Sequence, residues 1–280
     1  MPVNLRSQAL IPNVSDALFN SLGYLGFQRF APHVRLQPWV QCYWIAQQYQ
    51  LPNANVSETL YPDGGTTLIF NFASELPDIS FFATPSPSKM VFQGSVNRLG
   101  VRFHPGGAFQ LLGLGMPELK GGALSAADLS IPSLLQLPEQ LAELTHVSQR
   151  LALIDQWLLG LIKKTNATSG LIQQLLPQLI LASQPLEQWS AHLPISRRQL
   201  ERKFQVEVGF SPNQLKQLHR VKMARALISQ RPEQSLTDIG QEAGFYDQAH
   251  FIRHFHKITG QTPGEYRQRK MSQTYNSTKP

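Results

Sequence analysis

Ile195-Ser-Arg-Arg-Gln-Leu-Glu-Arg-Lys-Phe204, followed by Val208-Gly-Phe-Ser-Pro212, is the stretch that decides the fold of this chain. Fifty-one positions later it meets a second copy of itself. Leu200 pairs with Phe251, Arg202 with Arg253, Phe204 with Phe255 and Gly209 with Gly260; Ser211 pairs with Thr262, Pro212 with Pro263 and Leu215 with Tyr266. Two copies fall short of a solenoid, which needs about three stacked repeats. A compact helical module present twice is the simpler reading.

Each copy carries the punctuation of a helix-turn-helix. In the first, the spacing predicts a helix over 186–193 that stops at Pro194, then a helix from Arg197 capped by Ser196 and ended near Gly209. In the second, a helix starts at Leu236, Gly244 makes the turn, and Asp247 caps a helix that ends before Gly260. Ser211-Pro212 and Thr262-Pro263 each open a further short helix with proline at its first position. Between the copies, residues 213–230 read as one helix of about 18 residues, roughly 27 Å long. A rod of that length can hold two recognition helices about one DNA turn, ~34 Å, apart.

The apolar periodicity assigns the faces. Leu200, Phe204 and Val208 fall at i, i+4 and i+8 and face a core, as do Phe251 and Phe255. That leaves Arg197, Arg198, Glu201, Arg202 and Gln205 outward in the first copy. In the second, Gln248, Ala249, Ile252, Arg253 and His256 point outward, with His250 at the edge. Arg reads guanine through a bidentate fork, Gln can read adenine, and Ala or Ile can touch the thymine methyl. Lys203, Lys222 and Lys257 are candidate phosphate contacts. A solvated basic face is the bland alternative, and Arg at the same repeat position in both copies weighs against it.

Charge points the same way. The formal net charge is +7, and residues 181–280 hold 15 Lys+Arg against 8 Asp+Glu, whereas residues 1–180 hold 10 against 10. A basic segment joined to a neutral one suggests a polyanion-binding module attached to something else.

These strings, together with Ser235-Leu-Thr-Asp-Ile-Gly-Gln-Glu-Ala-Gly-Phe-Tyr-Asp-Gln-Ala-His-Phe251 and Thr259-Gly-Gln-Thr-Pro263, resemble the AraC/XylS family of bacterial transcriptional regulators over about residues 171–267. The resemblance implies a seven-helix domain that binds a double-stranded DNA operator and recruits or positions RNA polymerase. Its base-reading sites, carried over position by position, fall on Arg198 and Arg202, then on Gln248, Ala249 and Arg253. Pro194 stands where many members have glycine, and Ala249 is short at a position that is often polar.

Upstream, residues 27–109 have β texture. Val40–Ile45, Thr66–Phe72, Ile79–Phe82, Met90–Phe92 and Leu99–Phe103 are short branched and aromatic runs separated by turn clusters. Strands at this spacing suggest a small barrel or sandwich. The strings Tyr61-Pro-Asp-Gly-Gly65 and Leu99-Gly-Val-Arg-Phe-His-Pro-Gly-Gly107 resemble the β-domain of one AraC-like subgroup, implying a cupin-like sensor or dimerisation domain. Leu137, Leu141, Leu144, Leu151, Leu158 and Ile162 form a helical apolar stripe, interrupted by Ser148 and Asp155, read either as packing inside the chain or as a homodimer seam.

The expected fold class is therefore a two-domain α+β chain. Residues 1–165 form the β-rich domain with linker helices, its β part at about 27–110. Residues 171–269 form the DNA-binding domain, with the first helix-turn-helix at about 186–209, the linker helix at 213–230 and the second helix-turn-helix at about 236–260. Residues 270–280 are a polar, frayed tail, and residues 1–25 are left unassigned.

Other chemistry is weakly supported. A lone cysteine, Cys42, gives no disulfide, thiolate zinc cage or methyl-accepting repair cluster. No His-x-His precedes residue 180, and His254-x-His256 on a helix points to two faces. The chain lacks GxxxxGK[ST], GxGxxG and a Gly-x-Ser-x-Gly elbow. No catalytic residue, metal or cofactor is expected. A cupin-type enzyme or a DNA-repair protein fused to a DNA-binding domain is the alternative. Without an 18-residue apolar run or a signal-peptide pattern, the expected compartment is the cytoplasm, with no membrane partner. A small-molecule effector is the partner expected of the β-domain.

Overall fold

The structure is a computed structural model that describes residues 20–49, 51, 55–74, 77–116, 123–125, 128–129, 131–165, 170–181 and 193–277. The helix expected over 186–193 lies, but for Leu193, outside the described residues. Two compact units emerge, one spanning Tyr24–Leu218 and the other taking in His219–Pro280.

The first unit contains eight described strands: β1 (Gln28–Phe30), β2 (Val40–Gln48), β3 (Asn55–Leu60), β4 (Thr66–Asn71), β5 (Asp78–Ala83), β6 (Ser88–Gln93), β7 (Val96–Phe103) and β8 (Ala123–Ser125). Six form an antiparallel sheet in the order β1-β2-β7-β4-β5-β8, and β3 pairs with β6 alone. Alternation explains the register. Tyr43, Val101, Leu68 and Phe81 lie side by side across four strands, as do Ile45, Leu99, Phe70 and Ile79, and all eight are buried.

The six-stranded sheet is open, so of the expected barrel or sandwich the closed barrel is corrected. Its edges, β1 and β8, are three residues each, and among the described residues they do not pair with one another. Strand spacing announces strands but not closure, which requires the two edge strands to meet in register. Here β3 and β6 leave the main sheet and pair together instead.

Short α1 (Gly107–Leu112) follows β7; α2 (Pro132–Leu135), α3 (Leu137–Glu143) and α4 (Val147–Thr165) come next. Leu137, Leu141, Ile154, Leu158 and Ile162 are buried in the same core as the sheet residues, and Leu151 packs against it. These members of the stripe are therefore internal packing rather than a dimer seam, while Leu144 is half-buried and outside that core. Asp155, read as an interruption, ties the helix to the sheet. It accepts from Tyr43 Oη at 2.6 Å and from the His33 backbone N–H at 3.1 Å. Burial, and the bond to this carboxylate, raise the Tyr43 phenol far above its ordinary value, so it stays a neutral donor.

The helical part comprises α5 (Leu171–Leu181), α6 (Arg197–Glu207), α7 (Pro212–Gln230), α8 (Leu236–Glu242), α9 (Gln248–Thr259) and α10 (Pro263–Ser277). The expected short helix at Pro212 merges into α7, a single 19-residue helix. The tail is corrected too: Lys270–Ser277 continues α10, whose start is fixed by a reciprocal pair in which Glu265 N–H donates to Thr262 Oγ1 and Thr262 N–H to Glu265 Oε2. Its polar composition concealed a helix already nucleated upstream. Thr259, Phe255 and Tyr266 are buried in the His219–Pro280 unit, where the Phe255 and Tyr266 rings meet edge to face at 5.5 Å.

Candidate nucleic-acid interface

The helix α6 is set by its caps. Ser196 Oγ accepts from Gln199 N–H at 3.2 Å while Gln199 Oε1 accepts from Ser196 N–H at 2.8 Å, and Gly209, at φ +78°, carries the chain out of the helix. Leu200, Phe204 and Val208 are fully buried against Ile172, Leu175 and Leu215. The opposite face therefore presents Arg197, Arg198 and Arg202 to solvent, with Glu201 half-buried. Arg197 is held by Glu201 at 3.0 Å. Among the described residues, Arg198 and Arg202 make no hydrogen bond or ion pair, so their guanidinium forks are uncommitted. Lys203 is exposed, but its Nζ pairs with Glu207 at 2.9 Å.

The helix α9 is built alike. Asp247 Oδ1 accepts from His250 N–H at 2.7 Å, and Gly260, at φ +74°, ends the helix. Phe251 and Phe255 are fully buried, leaving Gln248, Ala249, Ile252, Arg253, His256 and Lys257 exposed. His256 and Lys257 occupy the last turn, where cations suit the helix dipole. His250 is half-buried, its ring 5.6 Å from Phe245 and 4.3 Å from His254. It packs along the edge of the exposed face, as its position in the repeat predicts. Lys222, on α7, is half-buried and already partnered.

The electrostatics follow from crowding of cations. Burial, then the neighbouring His250, Lys257, Arg253 and Arg220, hold the His254 imidazole below its ordinary value. Arg220 is itself lowered by burial. Two features, one exposed and one buried, are not among the functional residues expected from the sequence. Tyr246, between buried Phe245 and the cap Asp247, is 94% exposed, an aromatic with no core role beside the start of α9. Glu207 was legible in principle, because it falls seven residues after Leu200 and three after Phe204, on the buried stripe.

The N-terminal strings converge as well. Arg102 pairs with Asp63 and donates to Thr67 Oγ1 at 2.9 Å, tying the Tyr61–Gly65 turn to β7. Elsewhere on this domain an open surface hollow of about 470 Å³ is lined by exposed Ala73, Ser74, Val91, Gln93 and Ser95 and by half-buried Asn71 and Arg98. Burial lowers the Arg98 guanidinium, and Asp78 opposes that shift. Among the described residues no group of three or more His, Cys, Asp or Glu is placed to hold a metal ion, and no helix is long and apolar enough to cross a membrane.

Residues 189–269 match the helix-turn-helix domain family, and residues 28–125 match a domain of unknown function (DUF6597). No curated protein matches the chain. Among solved structures it is similar to ToxT from Vibrio cholerae. One ToxT crystal form shares 13% identity over 77% of this chain and 98% of that one, with a TM-score of 0.39. ToxT bound to (E)-4-(8-methylnaphthalen-1-yl)but-3-enoic acid shares 14% over 87% and 99%, with a TM-score of 0.38. ToxT bound to an unsaturated fatty acid shares 13% over 86% and 93%, with a TM-score of 0.36.

Proposed function

We propose that this chain, whose residues 189–269 match the helix-turn-helix domain family, is a transcriptional regulator of the AraC/XylS type that reads operator DNA with both of its capped helices, α6 and α9, in two successive major grooves. The observation that carries this reading is the repeat itself: two helices with equivalent caps, equivalent buried residues and an exposed Arg at the same repeat position, Arg202 and Arg253. In the DNA-bound chain, Arg198 and Arg202 read one base cluster and Gln248, Ala249, Ile252 and Arg253 the other. Arg197, Glu201 and His250 border those clusters, and Lys203, Lys222 and Lys257 lie toward phosphate. RNA polymerase is the protein partner of such a regulator, and a second copy of the chain on paired operators remains part of the reading, through a surface other than the α3–α4 stripe.

Residues 1–165 act as the sensor in this proposal and 171–269 as the DNA reader. The open hollow beside Arg98 is the candidate place for a small-molecule signal, whose charge a half-buried guanidinium favours as negative.

Footprinting and salt titration of the full chain test the proposal. Two protected base clusters should lie about 10 base pairs apart on one DNA face. Affinity should fall steeply with salt through counterion release. A folded chain that binds no DNA at low salt returns the basic face to plain solvation.

A further inference from the structure

Gln110 lies on α1, in the N-terminal sheet domain, yet its amide is spent on the reading helix. Its Oε1 accepts from Trp39 Nε1 at 3.1 Å and from the Gly170 backbone N–H at 2.8 Å. Its Nε2 donates to Glu207 Oε2 at 3.3 Å. The other Glu207 oxygen holds Lys203, with the Glu207 side chain 2% exposed and that of Lys203 46%. A chain of polar contacts thus runs from the entry of β2, through α1 and the segment before α5, to the exposed face of α6. A primary amide meets this arrangement without a change of protonation: its oxygen accepts from two donors while its N–H donates to a carboxylate.

The surroundings are fitted to the same contact. A Cβ on Gly170 would fall 1.6 Å from Gln110 Nε2, and one on Gly64, where φ is +78°, would fall 2.5 Å from Leu215 Cδ1. Gln173 Nε2 on α5 donates to the Pro105 carbonyl at 3.0 Å. The turns Tyr61–Gly65 and His104–Gly107 therefore meet α5, α6 and the start of α7 with backbone, where side chains would hold them apart.

We propose that Gln110 is a positioning residue for DNA reading: it fixes α6 against the N-terminal domain, and so sets how Arg198, Arg202 and Lys203 are presented. The proposal rests on α6 being a reading helix. It makes the first copy the one through which the N-terminal domain governs binding.

An exchange of donor and acceptor in the full chain tests it. Gln110→Glu keeps the acceptors for Trp39 and Gly170 but sets a second carboxylate against Glu207. Discrimination at the first base cluster should fall about tenfold or more, as for a buried coupled pair. The second cluster is the internal control and should not change. Combining Gln110→Glu with Glu207→Gln restores one donor facing one acceptor, and wild-type discrimination should return. Unfolding by circular dichroism checks each variant. If Gln110→Glu alone does not fold, the doubled variant decides: restored discrimination supports the role, and a folded double variant still blind at the first cluster overturns it. A wild-type chain with two clusters and an unchanged Gln110→Glu footprint overturns the positioning role alone. A wild-type chain without sequence preference overturns it together with the reading of α6.

Discussion

The two copies of the helical module agree inside and differ at the edge. Ser196 and Asp247 cap them, Leu200 and Phe251 and then Phe204 and Phe255 fill their cores, and Gly209 and Gly260 end them with the same left-handed turn. At the edge, Lys203 and Glu207 of the first copy stand where the second has His254 and Ile258. The first copy thus carries a buried carboxylate that takes a hydrogen bond from Gln110, and it belongs to the same compact unit as the sheet. The second carries an aliphatic residue and a histidine cluster, in the other unit. Caps and core residues define the module, while the edge residues determine what it answers to.

The comparison breaks first at the cores. Phe204→Ala and Phe255→Ala, at fully buried positions, should each cost about 3–5 kcal/mol. Hydrogen exchange in the strands β2, β4 and β7 should rise in the first variant and not in the second. Equal exposure in both would merge the copies into one cooperative unit. The arginines come next. Arg202→Ala and Arg253→Ala should each weaken binding by about 1–3 kcal/mol and relax separate base clusters, measured on operators with single base changes. A footprint indifferent to Arg253 would leave reading to the first copy.

Caps sharpen the contrast at about 1 kcal/mol each. Ser196→Ala and Asp247→Ala both lose the bond to the third helical N–H, but only Asp247 adds a negative charge at a helix start. The excess loss in Asp247→Ala should shrink at high salt, as read from denaturant midpoints. The smallest effect is an acid sensitivity of the second copy. His254 has its folded pKa below the ordinary 6.5, so the unfolded chain binds the proton more readily. Stability from this group is full above about 6.5 and is lost as pH falls toward the folded value. Unfolding of the DNA-free chain followed from pH 8 to pH 5, about the span of histidine titration, should show this loss in wild type and less of it in His254→Gln.

Period and punctuation carried most of the helical half into view, because a cap, an apolar stripe and a C-terminal glycine are all local signals. The strands β2, β4, β5, β6 and β7 were legible as branched and aromatic runs. β3 was not, because Glu58 interrupts its alternation, and that carboxylate accepts a hydrogen bond from the Tyr24 hydroxyl. β1 and β8, three residues each, are too short to show a period. The role of Gln110 was invisible for a different reason: periodicity tells which face is buried and is silent on what covers it. The open sheet and the internal stripe belong to the same class, since both depend on which element closes over which.

The unbroken helix α7 has one more consequence, in its phase. A helix advances about 100° and 1.5 Å per residue, so its length is counted in turns. One residue inserted into α7 swings everything after it by about 100°, and no sliding along a groove restores that face. Four residues bring it back to within about 40°, at the expense of roughly 6 Å of extra reach. Operator binding by insertion variants of α7 should therefore rise and fall with a period of three to four residues, a screw that engages only when its thread comes round.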